Sequence, residues 1–204
     1  MRNDLAWPKP DATAGRPSGK ARDVSDETLV ERIASGNRLA MQALFTRHNA
    51  RVYRFILRLV QDSALAEDLT SEVFLGVWQQ AHRFEARSAV TTWLLAIARY
   101  KALAELRRRA EPAAEEATEA ADPADDPETV LAARRRGEIL RKCLGALSRE
   151  HREIIDLVYY HEKSVQEVAR IVGIPGNTVK TRMFYARRRL SELLTAEGLV
   201  GALS

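Results

Sequence analysis

The sequence predicts an all-α protein: two small helical domains joined by a flexible acidic linker. Three observations predict it. Apolar residues recur at three- and four-residue spacing along most of the 204-residue chain, and nothing shows the period-two alternation of strands. Residues 110–128 are rich in Ala, Glu, Asp and Pro and lack any large apolar residue, so they cannot build a core. The sequence on each side of that segment carries enough apolar stripe to bury a core of its own, and 204 residues suffice for two such domains.

Residues 1–24 read as a disordered tail of Pro, Gly and charged residues, in which Trp7 is an idle aromatic. Ser25 opens the first domain with a capping signal ahead of Leu29, Val30 and Ile33, and Ser35-Gly36-Asn37 ends that helix. A long second helix places Ala40, Leu44, Phe45, Val52, Phe55, Ile56 and Leu59 on one side. Asp62-Ser63 caps a third helix carrying Ala66, Leu69, Val73 and Val77. Arg83 to Val90 is expected to be a loop, and a fourth helix runs from about Thr91 to Arg108, with Trp93, Leu94, Ile97, Ala98 and Leu103 apolar. These four helices make residues 25–109 one domain. Beyond the linker, helices are expected at 129–146, 149–161, 165–172 and 176–195, with 196–204 as a C-terminal tail. Ile154, Ile155, Leu157 and Val158 are candidate core for this second domain.

The formal net charge of +4 is modest but unevenly spread. Eight acidic residues and no basic one lie between Glu111 and Glu128, with Arg107-Arg108-Arg109 before them and Arg134-Arg135-Arg136 after. Such blocks argue for separate modules. Cys143 is the single cysteine, so no internal disulfide forms and a reducing cytoplasm is expected, with Cys143 a small core residue. No apolar run reaches the ~18–20 residues of a membrane span, and the N-terminus lacks the apolar core of a secretion signal. A helical-bundle enzyme of the di-iron kind needs Glu-x-x-His pairs, which none of His48, His82, His151 or His161 supplies. No zinc-protease, phosphate-loop or nucleophile-elbow motif is present either. The chain therefore reads as no enzyme, with no cofactor and no metal site, and its histidines as surface or capping residues.

The segment with the most chemistry is Ser164 to Leu190. Val165, Val168, Ala169 and Val172 stripe a first helix, Gly173-Ile174-Pro175 breaks it, and Asn177 or Thr178 caps a second. Val179, Met183, Ala186 and Leu190 form the inner face of that second helix, and Lys180, Arg182, Arg187, Arg188 and Arg189 supply charge around the rest. Two short helices, a Gly-containing turn and a basic second helix make a helix-turn-helix, whose geometry lays the second helix in a DNA major groove. Cations supply phosphate affinity, and polar Asn177, Thr178 and Thr181 near the helix start suit base edges.

Taken together, these parts resemble a bacterial RNA polymerase sigma factor of the sigma-70 family, in the compact extracytoplasmic-function group that keeps only regions 2 and 4. Leu147 to Ile154 is similar to the opening of region 4, and Ser164 to Leu190 resembles region 4.2, which binds the promoter −35 element. Ala66 to Trp78 is similar to region 2.2, the helix that docks on the clamp helices of the polymerase β′ subunit. Thr91 to Arg99 resembles regions 2.3 and 2.4, which melt the −10 element and hold an unstacked base.

The resemblance implies −35 contacts by Asn177, Thr178, Lys180, Thr181, Arg182, Arg187 and Arg188. It implies −10 contacts by Phe84, Arg87, Ser88, Thr91, Arg99, Tyr100 and Lys101, with Arg107 and Arg108 adding charge. It implies polymerase contacts by Asp68, Glu72, Phe74 and Trp78, with Phe74 and part of Trp78 also in the core. Like charges at Asp68 and Glu72, four apart on one helix face, suit a basic partner. Phe74 and Trp78 share that spacing and are candidates to stack. Trp93 is expected to be a core anchor. Ser71, Tyr100 and Gly176-Asn177 depart from the group's usual residues.

The partners implied are core RNA polymerase, through the β′ clamp helices and the β flap, promoter DNA, and an anti-sigma factor governing a stress or environmental regulon. The acidic linker would then thread the cationic RNA-exit path. A stand-alone helix-turn-helix regulator that binds duplex DNA without polymerase is the competing reading. The tandem of the 66–78 and 91–99 motifs argues against it.

Overall fold

The computed structural model describes residues 24–110 and 129–198, with side chains from residue 136 in the second part. The expectations for the tail with Trp7, the acidic linker and the last residues of the chain lie outside the described residues. Among those described, every regular element is helical.

In the first bundle, α1 spans Asp26–Ala34, α2 Arg38–Val60, α3 Ser63–Gln80 and α4 Val90–Ala110. Ser25, Asn37 and Asp62 cap α1, α2 and α3, each accepting from the amide three residues on. These short polar side chains satisfy amides that a helix start otherwise leaves orphaned. A 3-10 turn, Ala81–Arg83, closes α3 and leaves residues 84–89 as the loop into α4. Leu44, Phe55, Ile56, Val73, Val77, Leu94 and Ala98 are sealed from solvent in the centre of this bundle.

In the second bundle, α5 spans Thr129–Gly145, α6 Arg149–Ile155, α7 Val165–Val172 and α8 Gly176–Ala196. Ile154, Leu157, Val168, Val179 and Ala186 are its most buried side chains, joined by Cys143. Ile171 is buried too, whereas Val165 and Ala169 are half-buried. α7 carries a complete capping box, with the Ser164 hydroxyl accepting from the Glu167 amide and the Glu167 carboxylate accepting from the Ser164 amide. Gly173, at φ +73°, ends α7 in the left-handed conformation that glycine adopts without strain.

Between α6 and α7 the chain makes a π-turn, Asp156–Tyr160, in which the His161 amide donates to the Asp156 carbonyl. The wider turn aims Asp156, Tyr160 and His161 at α2. Arg58 of α2 pairs with Asp156 and lies 3.4 Å over the Tyr160 ring, while Phe55 meets His161 edge-on at 5.4 Å. π-turns of this kind recur where a helix must present side chains out of its normal register.

Three expectations change here. The two helical units, read as separate modules, pack against each other, with α4 lying along α7. The linker charge pattern marks a boundary but holds no information on whether the units dock. Asn177 and Thr178 do not cap α8. Pro175 occupies the cap position without a side-chain hydrogen bond, and the helix begins at the next residue, Gly176, ahead of both Asn177 and Thr178. Two of the four histidines are buried. His48 gives its Nε2 to Asp26 at 2.6 Å, and His161 sits between the bundles, its Nε2 3.3 Å from Asp156.

Candidate nucleic-acid interface

The helix-turn-helix comprises α7, the Gly173–Pro175 turn and α8. Val179, Met183 and Ala186 anchor α8 to the core, which turns the opposite face outward. At 100° per residue that outward stripe consists of Asn177, Lys180, Thr181, Phe184 and Arg188, all exposed. Thr181 donates its hydroxyl to the Asn177 carbonyl, and Arg188 is steered by Glu192 at 3.2 Å. Of the expected −35 residues, Thr178 and Arg182 are half-buried at the flank of the stripe, and Arg187 lies on the other flank, 5.4 Å over the Tyr159 ring. Phe184, 63% exposed at the centre of the stripe, escaped the sequence reading. The available signal was its register, seven residues after Asn177 on the face opposite Val179. An exposed ring there suits apolar contact with a thymine methyl.

The second surface lies on the 84–89 loop and the first turns of α4. Phe84 and Trp93 pack with ring centroids 5.0 Å apart, so Trp93 is the expected anchor and Phe84 is held at the foot of the loop. Ala86 takes φ +52°, a strained value for a residue with a Cβ, and turns the loop sharply. Arg87 is exposed and tied to Glu85 at 2.6 Å. Ser88 is half-buried, and Tyr100 stands 71% exposed. The remaining expected −10 residues are engaged elsewhere. Lys101 bonds Glu72 of α3 at 2.9 Å. Thr91 accepts from Lys163 at 2.6 Å, and Arg99 forms a two-point pair with Glu153 at 2.6 and 3.3 Å. Beside them Thr92, buried, donates to Glu167 at 2.7 Å. Farther along α4, Arg108 and Arg109 share Glu105, and the two guanidiniums hold its carboxyl at about 2 despite the opposing effect of desolvation.

The third surface is the outer face of α3. Asp68, Ser71, Glu72, Leu75 and Gln79 form an exposed stripe, with Trp78 half-buried at its edge. Phe74, proposed from the sequence as both a partner contact and a core residue, is core only. It is 3% exposed and packs on Phe45 at 4.8 Å, not on Trp78. Leu75, one residue on and 57% exposed, takes its place on the outward face. An apolar side chain between two acids suits a basic, partly apolar partner helix.

Among the described residues no helix is long and apolar enough to cross a membrane, and no group of three or more His, Cys, Asp or Glu is placed to hold a metal.

Comparison with known proteins gives these surfaces a common context. Residues 44–111 match the model of Sigma-70 region 2, and residues 143–192 match that of Sigma-70 region 4. The chain is 32% identical over 186 residues to the ECF RNA polymerase sigma factor SigK of Mycobacterium tuberculosis, covering 87% of this chain and 98% of the relative. It is also 32% identical over 169 residues to SigL of the same species, covering 81% and 95%. Among solved structures it resembles CnrH in complex with the cytosolic domain of CnrY, with a TM-score of 0.64 at 25% identity over 84% of this chain and 97% of that one. It likewise resembles the sigma factor RpoE of Bartonella quintana in complex with the anti-sigma factor NepR, with a TM-score of 0.64 at 27% identity over 74% and 94%. With both regions matched in order and relatives covered almost end to end, this chain belongs to the ECF RNA polymerase sigma factors of the sigma-70 family, non-catalytic proteins that bind core RNA polymerase and direct promoter-specific initiation.

Proposed function

We propose that this sigma factor divides promoter reading between its two bundles. The unit 25–109 carries the polymerase contact and the −10 element, and the unit 129–195 carries the −35 element. The outward stripe of α8 enters the major groove at −35. There Lys180 and Arg188 meet phosphates, while Asn177, Thr181 and Phe184 face base edges. Thr178, Arg182 and Arg187 steady the helix at its flanks. The loop 84–89 and the α4 edge of Thr91, Arg99 and Tyr100 take the non-template strand at −10, where Phe84 and Tyr100 offer rings and Arg87 and Arg99 offer charge. Lys101, Arg107 and Arg108 extend that cationic track. The α3 stripe of Asp68, Glu72 and Leu75, edged by Trp78, docks on polymerase.

The observation that carries this reading is the α8 stripe. Its polar, basic and aromatic residues share one exposed face opposite a fully buried one. The protein works in the cytoplasm and has no catalytic activity of its own. The resemblance to RpoE, solved in complex with the anti-sigma factor NepR, supports control by an anti-sigma factor, as expected for a stress or environmental regulon.

Run-off transcription with core polymerase and a genomic promoter library tests the assignment. Promoter-specific transcripts are expected, lost with Asn177→Ala/Lys180→Ala at −35-dependent promoters. Transcripts that ignore both the −35 sequence and these substitutions overturn it.

A further inference from the structure

One cavity has no part in promoter reading as proposed above. It measures about 20 Å³ and is lined by Arg58 and Leu59 of α2 and by Arg149, Arg152, Glu153 and Asp156 of the second bundle. Its charges do not balance. Glu153 is taken by two nitrogens of Arg99, and Asp156 by Arg58. Arg149 is exposed and makes no hydrogen bond or ion pair among the described residues. Arg152 is half-buried and meets no carboxylate. One of its terminal nitrogens donates to the Gly145 carbonyl at 2.8 Å and to the Leu147 carbonyl at 3.2 Å, while its Nε is buried with no partner. Burial pushes its pKa below the ordinary arginine value, and nothing raises it in return. A buried donor without an acceptor bears the full cost of its desolvation, and more when it is charged. A water in the cavity would meet the Nε–H but leave both positive charges in place. An anion meets both needs.

We propose that this cavity is a binding site for a phosphate dianion, free or as the terminal group of a nucleotide, with one phosphate oxygen at the Arg152 Nε and the rest at the mouth beside Arg149. Two guanidiniums without counter-charge match two negative charges, and their planar fork suits phosphate oxygens. Arg58 lines the same cavity from α2, so the site draws on both bundles. Arg54 and Arg51, one and two turns before Arg58 on the same face of α2, are exposed and unpaired among the described residues, and their field draws anions towards the cavity. Size selects as well. A cavity that admits one oxygen atom excludes a nucleobase or a hydrocarbon chain, so the phosphate group itself is what the site recognises.

The test uses the full-length chain in Tris acetate, which supplies no multivalent anion. Inorganic phosphate and, separately, adenosine monophosphate are titrated by calorimetry. Saturable binding of inorganic phosphate is expected, with a Kd below about 1 mM. A similar Kd for the nucleotide assigns the site to the phosphate group alone, and a much tighter one assigns it to a nucleotide's phosphate. Arg149→Gln is expected to weaken binding by about tenfold, as for loss of one charge-assisted hydrogen bond. Arg152→Lys keeps the charge but lacks the Nε donor, and is expected to weaken binding by about as much. Arg38→Gln/Arg141→Gln removes two exposed positive charges elsewhere, one from each bundle, and is expected to leave binding unchanged. Phosphate is also expected to raise the melting temperature of the native chain, and not that of Arg149→Gln/Arg152→Lys.

Absence of binding by either compound at about ten times that concentration overturns the site. Binding that survives both Arg149→Gln and Arg152→Lys, or that falls equally with Arg38→Gln/Arg141→Gln, puts the phosphate elsewhere and overturns it too. Where Arg152→Lys by itself lowers the melting temperature, the exposed Arg149→Gln decides alone.

Discussion

The two surfaces proposed above to meet nucleic acid differ in how they are kept. The outward face of α8 is open, with Asn177, Lys180, Thr181 and Phe184 facing solvent. The α4 edge is covered, with Arg99 on Glu153, Thr91 on Lys163 and Thr92 on Glu167. Both surfaces carry cations and hydroxyls, so composition does not separate them. The difference lies in what opposes them. α8 is anchored by its own bundle and needs no cover, whereas α4 carries polar groups on a side where another helix packs, and each must find a partner there. A reader in two halves can therefore be half ready: one half is preformed, the other held by the chain's own carboxylates.

The sharpest way to break this comparison is to reverse one charge on each surface. Arg99→Glu leaves Glu153 buried against a like charge, which is expected to cost about 3–5 kcal/mol of interbundle stability. Arg188→Glu, on the open face, is expected to stay within about 0.5 kcal/mol. Thermal melting and hydrogen exchange of the free chain distinguish the two. Equal effects would erase the difference between surfaces.

Next in size is Phe184→Ala. Its ring is exposed, so the melting temperature is expected to hold while transcription from a −35-dependent promoter falls about tenfold, as for loss of about 1–3 kcal/mol of base discrimination. A large drop in melting temperature would mean the ring packs in the core after all.

The covered surface is also expected to respond to acid. Burial pushes the Glu167 carboxyl up. Hydrogen bonds from Thr92, from the Ser164 amide and hydroxyl and from Lys163 outweigh it and hold the group at about 2, below its ordinary 4.5. A depressed carboxylate contributes stability above its ordinary value and loses it as pH falls through the folded one. Interbundle contact is therefore expected to weaken as pH falls from 4.5 towards 2, and Glu167→Gln to flatten that response. A smaller effect is expected of Ser164→Ala, which removes half the capping box of α7 and costs about 1 kcal/mol, read by denaturant unfolding. Smallest is Lys180→Ala, which removes one phosphate contact and lowers the slope of log affinity against log salt by about 0.9 on duplex DNA bound with polymerase.

Much of this is legible in the sequence. The α8 inner face appeared as Val179, Met183 and Ala186 at helical spacing, and all three are buried. Ser25 and Asp62 announce their helix starts because a short oxygen-bearing side chain ahead of an apolar stripe has one efficient use. A motif match does not place Phe74 on an outward face, because it gives a position and not the angle at which its side chain leaves the helix. Phe74 and Leu75 are adjacent yet point 100° apart, and only packing against Phe45 decides which one is inside.

By itself, the sequence determined the helices, the caps at Ser25 and Asp62, the two regions and the basic face of the helix-turn-helix, because these depend on spacing and local chemistry within a few residues. The tertiary structure alone decided that the bundles dock, that Arg99 meets Glu153 across 54 residues of chain, and that Arg58 meets Asp156 across 98. Such pairs depend on which surfaces face one another, and a count of charges along the chain holds no record of that. The outward face of α8 is therefore readable as a stripe, while the cover on the α4 edge is visible only in the carboxylates, distant in sequence, that rest on it.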